Sequence, residues 1–166
     1  MDAETLKTLQ APLKAKYQEN PEAAVITLKA CGELGSEQLV CSVETGKALV
    51  EAGLHPATGG DGTQACSGDM LLQALVACAG VTLAAVAPAL EIDLKGGRVH
   101  AEGDLDFRGT LGVDKKVPVG FRDIRLSFDL DTDADGEKIA TLMKLTERYC
   151  VVYQTLISPP PVTVSY

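Results

Sequence analysis

Ser67-Gly68-Asp69-Met70-Leu71-Leu72-Gln73-Ala74-Leu75-Val76-Ala77-Cys78 opens the segment that decides how this chain folds. From Met70 to Ala87 only Gln73 and Thr82 are plainly polar, and Pro88 closes the run. Its 18 residues reach the length at which a bilayer span has to be considered. The run is rich in Ala, and no Lys or Arg stands close enough to orient a span, so a core helix is the better reading. Ser67 or Asp69 can accept from the free N–H groups of the first turn, which places the helix start there. A helix apolar nearly all round is expected to be buried on all sides. Ala74, Ala77, Ala79 and Gly80 let another backbone come close, and in a small protein such a helix calls for cover from a second chain.

Upstream of the helix, His55 to Gly62 reads as a loop rich in Gly, Pro and Thr, and Lys47 to Gly53 is ambiguous. Gln38 to Thr45 alternates Leu39, Cys41 and Val43 against Gln38, Ser42 and Glu44. With the apolar, β-branched Ala23 to Ala30 it makes a hairpin, turning between Cys31-Gly32 and Gly35-Ser36. Leu6, Leu9, Leu13 and Tyr17 sit at helical spacing, interrupted by Pro12, so residues 1–20 form a kinked or broken helical arm that ends at Asn20-Pro21.

Downstream, after a turn at Lys95-Gly96-Gly97, Val99, Ala101, Gly103, Leu105 and Phe107 alternate with charged or polar neighbours. Ile124, Leu126, Phe128 and Leu130 repeat the pattern across a loop from Gly109 to Gly120. Strict period two means one packed and one wet face, as in antiparallel sheets. Asp131 to Gly136 turns into a helix whose inner face is Ile139, Leu142, Met143 and Leu145, running to Arg148 or Tyr149. Val151 to Ile157 is a further short helix, stopped by Pro159-Pro160-Pro161, and Val162 to Tyr166 is a terminal strand. This order of elements is α+β, and 166 residues suit one domain spanning 1–166.

Composition narrows the function. A formal charge of -8 and a pI of about 4.7 weigh against nucleic acid and anionic membranes as partners. The start Met1-Asp2-Ala3-Glu4 lacks the basic and apolar regions of a secretory signal, and five Cys is an odd number for a disulfide framework. A cytoplasmic protein with mostly reduced thiols is therefore expected.

Several motifs imitate functional sites. Asp131-x-Asp133-x-Asp135-Gly136 resembles the start of a calcium loop, but its twelfth position is Leu142 where a bidentate carboxylate is required. An acidic helix N-terminus explains it better. Gly59, Gly60 and Gly62 are not followed by the Lys-Ser/Thr of a phosphate loop. Neither His55 nor His100 has a partner at metal-ligand spacing, so no metal or other cofactor is expected. Ser67 lies outside a nucleophile elbow and reads as a cap.

Among the cysteines, Cys31, Cys41 and Cys66 read as small semi-apolar residues, and Cys78 taken alone reads as a packing residue. Cys150 follows Glu147-Arg148 at the expected start of a short helix, where free N–H groups and a guanidinium would lower its pKa. Spacing alone does not bring Cys78 and Cys150 together.

Two segments, taken together, resemble the OsmC/Ohr family, named for osmotic induction and organic hydroperoxide resistance. One is Gly59-Gly60-Asp61-Gly62 followed by Gly68 to Cys78, similar to the family's Gly-rich loop and its Pro-x-Glu-Leu-Leu-Leu-Ala-Ala-Leu-Ala-x-Cys. The other is Leu145-Thr146-Glu147-Arg148-Tyr149-Cys150. Gly120 to Leu126 also has the family look. The resemblance implies an OsmC-like fold, with antiparallel sheets wrapped around two long buried helices in an intertwined homodimer and two sites at the subunit interface. It implies a thiol-dependent peroxidase acting on small organic hydroperoxides. Cys78 would become the sulfenate, Cys150 would resolve it as a disulfide, and an external dithiol would restore the pair. Asp69 falls where the family has a Glu that orients an activating Arg. That Arg has no counterpart, because the first Arg in the chain is Arg98, and Pro is missing ahead of Asp69. Arg148 or Arg122 could substitute. The alternative is a non-catalytic redox-sensing or small-ligand-binding member.

Overall fold

The computed structural model describes residues 49–112 and 114–166 throughout, the backbone of 32–34 and 40–44, and Glu4, Thr5, Thr8, Gln10, Ala11, Ala15 and Glu19 in the N-terminal segment. Those seven are all helical, as the spacing of the arm suggests. The expected interruption at Pro12 and the expected strand Ala23 to Ala30 lie outside the described residues.

Four strands form one sheet in sequence order: β1 (Gly32–Leu34), β2 (Val40–Glu44), β3 (Leu49–Gly53) and β4 (Ala65–Cys66). β1, β2 and β3 pair antiparallel, with Gly32 opposite Val43 and Val43 opposite Val50. β4 runs parallel to β3, with Ala52 opposite Ala65. The expected second strand of the hairpin is present as β2, and Gly32 to Leu34, expected in its turn, form the strand that pairs with it. The ambiguous stretch after Lys47 resolves into β3, and Cys66 ends the short strand β4.

Helix α1 follows at once, Ser67–Val86, and a 3-10 turn over Ala87–Leu90 prolongs it around Pro88. Ser67 is its first residue rather than its cap, and among the described residues neither Ser67 nor Asp69 caps it through the side chain. Strands β5 (Gly96–Asp104) and β6 (Asp123–Asp131) form a second sheet. The bonds Lys95 N to Asp131 O (2.9 Å) and Arg122 N to Asp104 O (2.8 Å) close its two ends antiparallel. β6 alternates half-buried and exposed residues along its whole length, as its period-two sequence requires. β5 ends sooner than its alternation suggests. Asp106 accepts from Arg108 N and starts a single helical turn, α2 (Phe107–Thr110), so Phe107 leaves the strand. Helices α3 (Gly136–Tyr149) and α4 (Val151–Ile157) complete the order. Asp135 caps α3 by accepting from Lys138 N at 2.8 Å, which is the use this chain makes of its acidic 131–136 segment.

The contacts group the chain into two units, and α1, β5 and β6 contribute residues to both. The first comprises Met1–Thr27, Leu75–Val99 and Ser127–Tyr166. Its core is Leu83, Ala87, Ile92 and Leu142, with Phe128, Leu130 and Met143 packed around them. Leu75, Ala79 and Leu83, spaced four apart, are the buried stripe of α1. The second comprises Leu28–Ala74 and His100–Leu126. There His55 Nδ1 accepts from Ala57 N, and its ring stacks on Phe107 at 4.9 Å between centroids. Arg125 bonds Asp104 and Asp123 on the wet face of the β5–β6 sheet.

Two expectations are corrected. Helix α1 is not buried on all sides within one chain: Val81 is 72% exposed, and Leu71, Ala74, Ala77 and Ala84 also face outward. One chain supplies a single apolar layer against the helix, so one stripe is covered and the rest is not. The C-terminal Val162 to Tyr166 forms no strand, and Val162 and Val164 are exposed. Strand-like alternation alone makes no strand without an edge to pair with.

Candidate active site

The two sequence-flagged thiols meet. Cys78 lies on α1, and Cys150 is both the last residue closing α3 and the N-cap of α4. The Cys150 N–H donates to Thr146 O at 2.9 Å, and Cys150 O accepts from Gln154 N at 2.9 Å. The chain bends between two helices at that residue because its ψ of 107° leaves the helical range. The bend directs the free N–H groups at the start of α4 toward α1, where Cys78 sits. Both thiols are free, Cys150 is buried at 1% exposure, and Cys78 is half-buried.

Their ionisation is split in opposite directions. Burial pushes the Cys78 thiol up, but four donors together outweigh it and hold the thiol below its ordinary value: the Val152 N–H, the Cys150 thiol, the Val151 N–H and the Thr82 hydroxyl. For Cys150, burial pushes the thiol up, the N–H groups of Tyr153 and Val152 oppose this, and the negative charge developing on Cys78 adds to the rise. The expectation that Cys150 itself would be the acidified thiol is therefore reversed. The N–H groups at the α4 N-terminus act on both sulfurs, outweighing burial at Cys78 but not at Cys150, where the neighbour's charge adds to the rise. The pair consists of one sulfur whose thiolate form is favoured and one thiol that can donate to it.

Neither candidate guanidinium is among the groups that shift the two thiols. Arg148 lies over the ring of Tyr149 at 5.7 Å, and Arg122 faces Asp106 at 3.6 Å. Thr82 is the residue that sequence reasoning missed. It counts in the sequence only as a polar interruption of the apolar run, although four residues after Cys78 on a helix is the spacing of a facing pair.

Asp69 lies away from Cys78 along α1. It precedes Cys78 by nine residues on α1, which is about 13.5 Å along the axis and half a turn around it. Asp69 lines a cavity of about 340 Å³ with His55, Cys66, Leu72, Phe107 and Phe121.

The OsmC-like protein family model matches residues 60–165, which takes in α1, both sheet-forming strands β5 and β6, and both thiols. The chain belongs to the OsmC-like family. Solved structures of OsmC-like proteins share its fold. An OsmC-like protein from Mycoplasma pneumoniae is 17% identical, with a TM-score of 0.67 over 81% of this chain and 89% of that one. An organic hydroperoxide resistance protein OsmC from Legionella pneumophila is 15% identical, with a TM-score of 0.59 over 81% and 92%. The organic hydroperoxide resistance protein OhrB of Bacillus subtilis is 20% identical, with a TM-score of 0.51 over 82% and 94%. No curated protein sequence matches. At these identities the likeness is one of fold, and it bears out the α+β, OsmC-like architecture expected from the sequence.

Proposed function

We propose that this OsmC-like protein is a cytoplasmic thiol peroxidase that reduces small organic hydroperoxides as a homodimer. The observation that carries the reading is the opposed ionisation of two interacting thiols, Cys78 held low and Cys150 held high. A peroxidatic sulfur has to be a thiolate, and a resolving sulfur has to stay protonated until the first step is over. Cys78 thiolate attacks the terminal oxygen of the hydroperoxide, the O–O bond breaks, and the alkoxide takes up a proton and leaves as the alcohol. Cys78 is then a sulfenic acid. Cys150 attacks its sulfur, the S–O bond breaks, and the hydroxyl leaves as water with the Cys150 proton. An external dithiol restores both thiols by exchange.

The homodimer accounts for the uncovered apolar face of α1, where Leu71 and Val81 stand exposed, and for exposed Tyr149 and Val151 beside the second thiol. Sites at the interface between copies would give Asp69 a place in the chemistry that its own chain does not provide. Light scattering of the purified protein checks the dimer.

The activity test is direct. Reduced protein should consume cumene or tert-butyl hydroperoxide with a dithiol donor, and Cys78→Ser should abolish this. Cys150→Ser should still form a Cys78 sulfenic acid that dimedone traps. Absence of turnover by the unaltered protein would end the proposal. One observation favours a second reading, a redox sensor without turnover: among the described residues no guanidinium is one of the groups that lower the Cys78 thiol. That reading expects a single stoichiometric oxidation to the Cys78–Cys150 disulfide and no catalytic cycle.

A further inference from the structure

Thr146 is the one buried side-chain group, among the described residues, whose polar atom has no hydrogen-bond partner. The residue is 1% exposed, so a single chain already covers it and a second subunit has no surface to reach. Its neighbours at the same helical spacing are Leu142, one turn before it and fully buried, and Cys150, one turn after it. Helical threonines commonly return their hydroxyl to the carbonyl four residues back. Thr141 does so in the same helix, donating to Glu137 O at 3.0 Å, and Thr155 does so in α4, donating to Val151 O at 2.8 Å. Thr146 does not use the equivalent Leu142 carbonyl. A buried hydroxyl left without a partner is costly, and in a well-packed protein it needs an explanation.

We infer that the Thr146 hydroxyl is a positioning residue for the second half of the reaction, held free in the reduced protein so that it can donate to the Cys150 sulfur as that sulfur becomes a thiolate. The inference rests on the peroxidase reading. Residues four apart on a helix have Cβ atoms roughly 5–6 Å apart, so rotation about χ1 of either residue carries Oγ1 within reach of the sulfur. The step it assists is balanced as written above: Cys150 sulfur bonds to Cys78 sulfur, the S–O bond of the sulfenic acid breaks, and the Cys150 proton leaves with the hydroxyl as water. Thr146 keeps its own proton throughout. The need is local. Cys150 is buried, its thiol is pushed up by burial and by the charge on Cys78 despite the Tyr153 and Val152 N–H groups, and among the described residues no cationic side chain is one of the groups that act on it. A hydroxyl with no competing acceptor can serve a charge that exists only transiently.

Thr146→Val keeps the shape and removes the donor, and Thr146→Ser keeps the donor. Each reduced protein is given one equivalent of cumene hydroperoxide. Cys78 sulfenic acid is followed by dimedone trapping, the Cys78–Cys150 disulfide by acid quench and mass spectrometry, and stability by the urea midpoint. The expected result for Thr146→Val is a higher urea midpoint, sulfenic acid formation at the unaltered rate, and disulfide closure slowed about tenfold or more. Thr146→Ser should close at close to the original rate. Closure of the Val variant at the original rate would overturn the inference and leave the orphan hydroxyl a packing fault. So would a Ser variant as slow as the Val variant. Absence of both sulfenic acid and disulfide in the unaltered protein would remove the peroxidase reading, and this inference with it, at a visibly earlier step.

Discussion

Replacing Thr82 with valine takes one donor from Cys78 and alters little else. The two side chains have the same shape and the same branching at Cβ, and their helix propensities are close, so α1 should form as before. Thr82 is half-buried and is the smallest of the four contributions that lower the Cys78 thiol. A buried hydrogen bond to a charged group contributes about 1.5–3 kcal/mol, and partial exposure brings this one to about 1 kcal/mol, a factor of about five in the equilibrium between thiol and thiolate. The sign follows from the direction of the effect. The hydroxyl favours the charged form, so its loss raises the Cys78 pKa and lowers the thiolate fraction at any pH below ionisation. Iodoacetamide reacts with the thiolate, so alkylation of the Cys78 peptide, followed by mass spectrometry from about pH 5 to pH 10, should slow about fivefold on the low-pH side and reach its midpoint at higher pH. Cys66, a free thiol in the same sample, is the internal reference. A Cys78 profile that stays in place, or moves to lower pH, would refute the assignment of Thr82 as a donor to the thiolate.

Two further outcomes test the fold. Leu142 has no exposure and joins Leu83, Ala87 and Ile92 in one cluster, so Leu142→Ala should cost about 3 kcal/mol and lower the thermal midpoint by about 6–12 °C in circular dichroism. The Arg108 side chain, its N–H and nearby Arg122 hold the Asp106 carboxyl down at about 2, from an ordinary 3.8. A depressed carboxyl stabilises the folded state above its unfolded value, and that contribution is lost as pH falls through the folded one. Asp106→Asn should therefore lower the urea midpoint at pH 7 and flatten its decline between about pH 4 and pH 2. An unchanged acid limb would show that the surface Asp106–Arg108 pair contributes nothing.

Much of the local structure was legible in the residues. Asp135-Gly136 and the Pro159 to Pro161 run bracket α3 and α4, and both helices lie where those signals put them. β6 follows its alternation residue for residue. The departures have local causes that a pattern does not weigh. β5 stops at Asp104 because the Asp106 side chain takes the Arg108 N–H and turns the chain into α2. Gly32 to Leu34 looks like turn material, and pairing with Cys41 to Val43 makes it a strand. At the site, both cysteines were singled out, but their roles came from family resemblance, and the carboxylate chosen with them, Asp69, lies away from Cys78 along its own helix.

The sequence by itself determined the α+β class, the long apolar helix with Cys78 on it, the bend after Tyr149 with Cys150 at it, and the family. These follow from periodicity and capping, which act over a few residues. Only the tertiary structure decided which sulfur is acidified, that Thr82 rather than an arginine helps, and that Thr146 is enclosed without a partner. Ionisation and burial depend on sums over donors, charges and apolar walls that distant segments bring to one point. The N–H groups of Val151 and Val152 reach Cys78 only because the chain has folded back across nearly half its length.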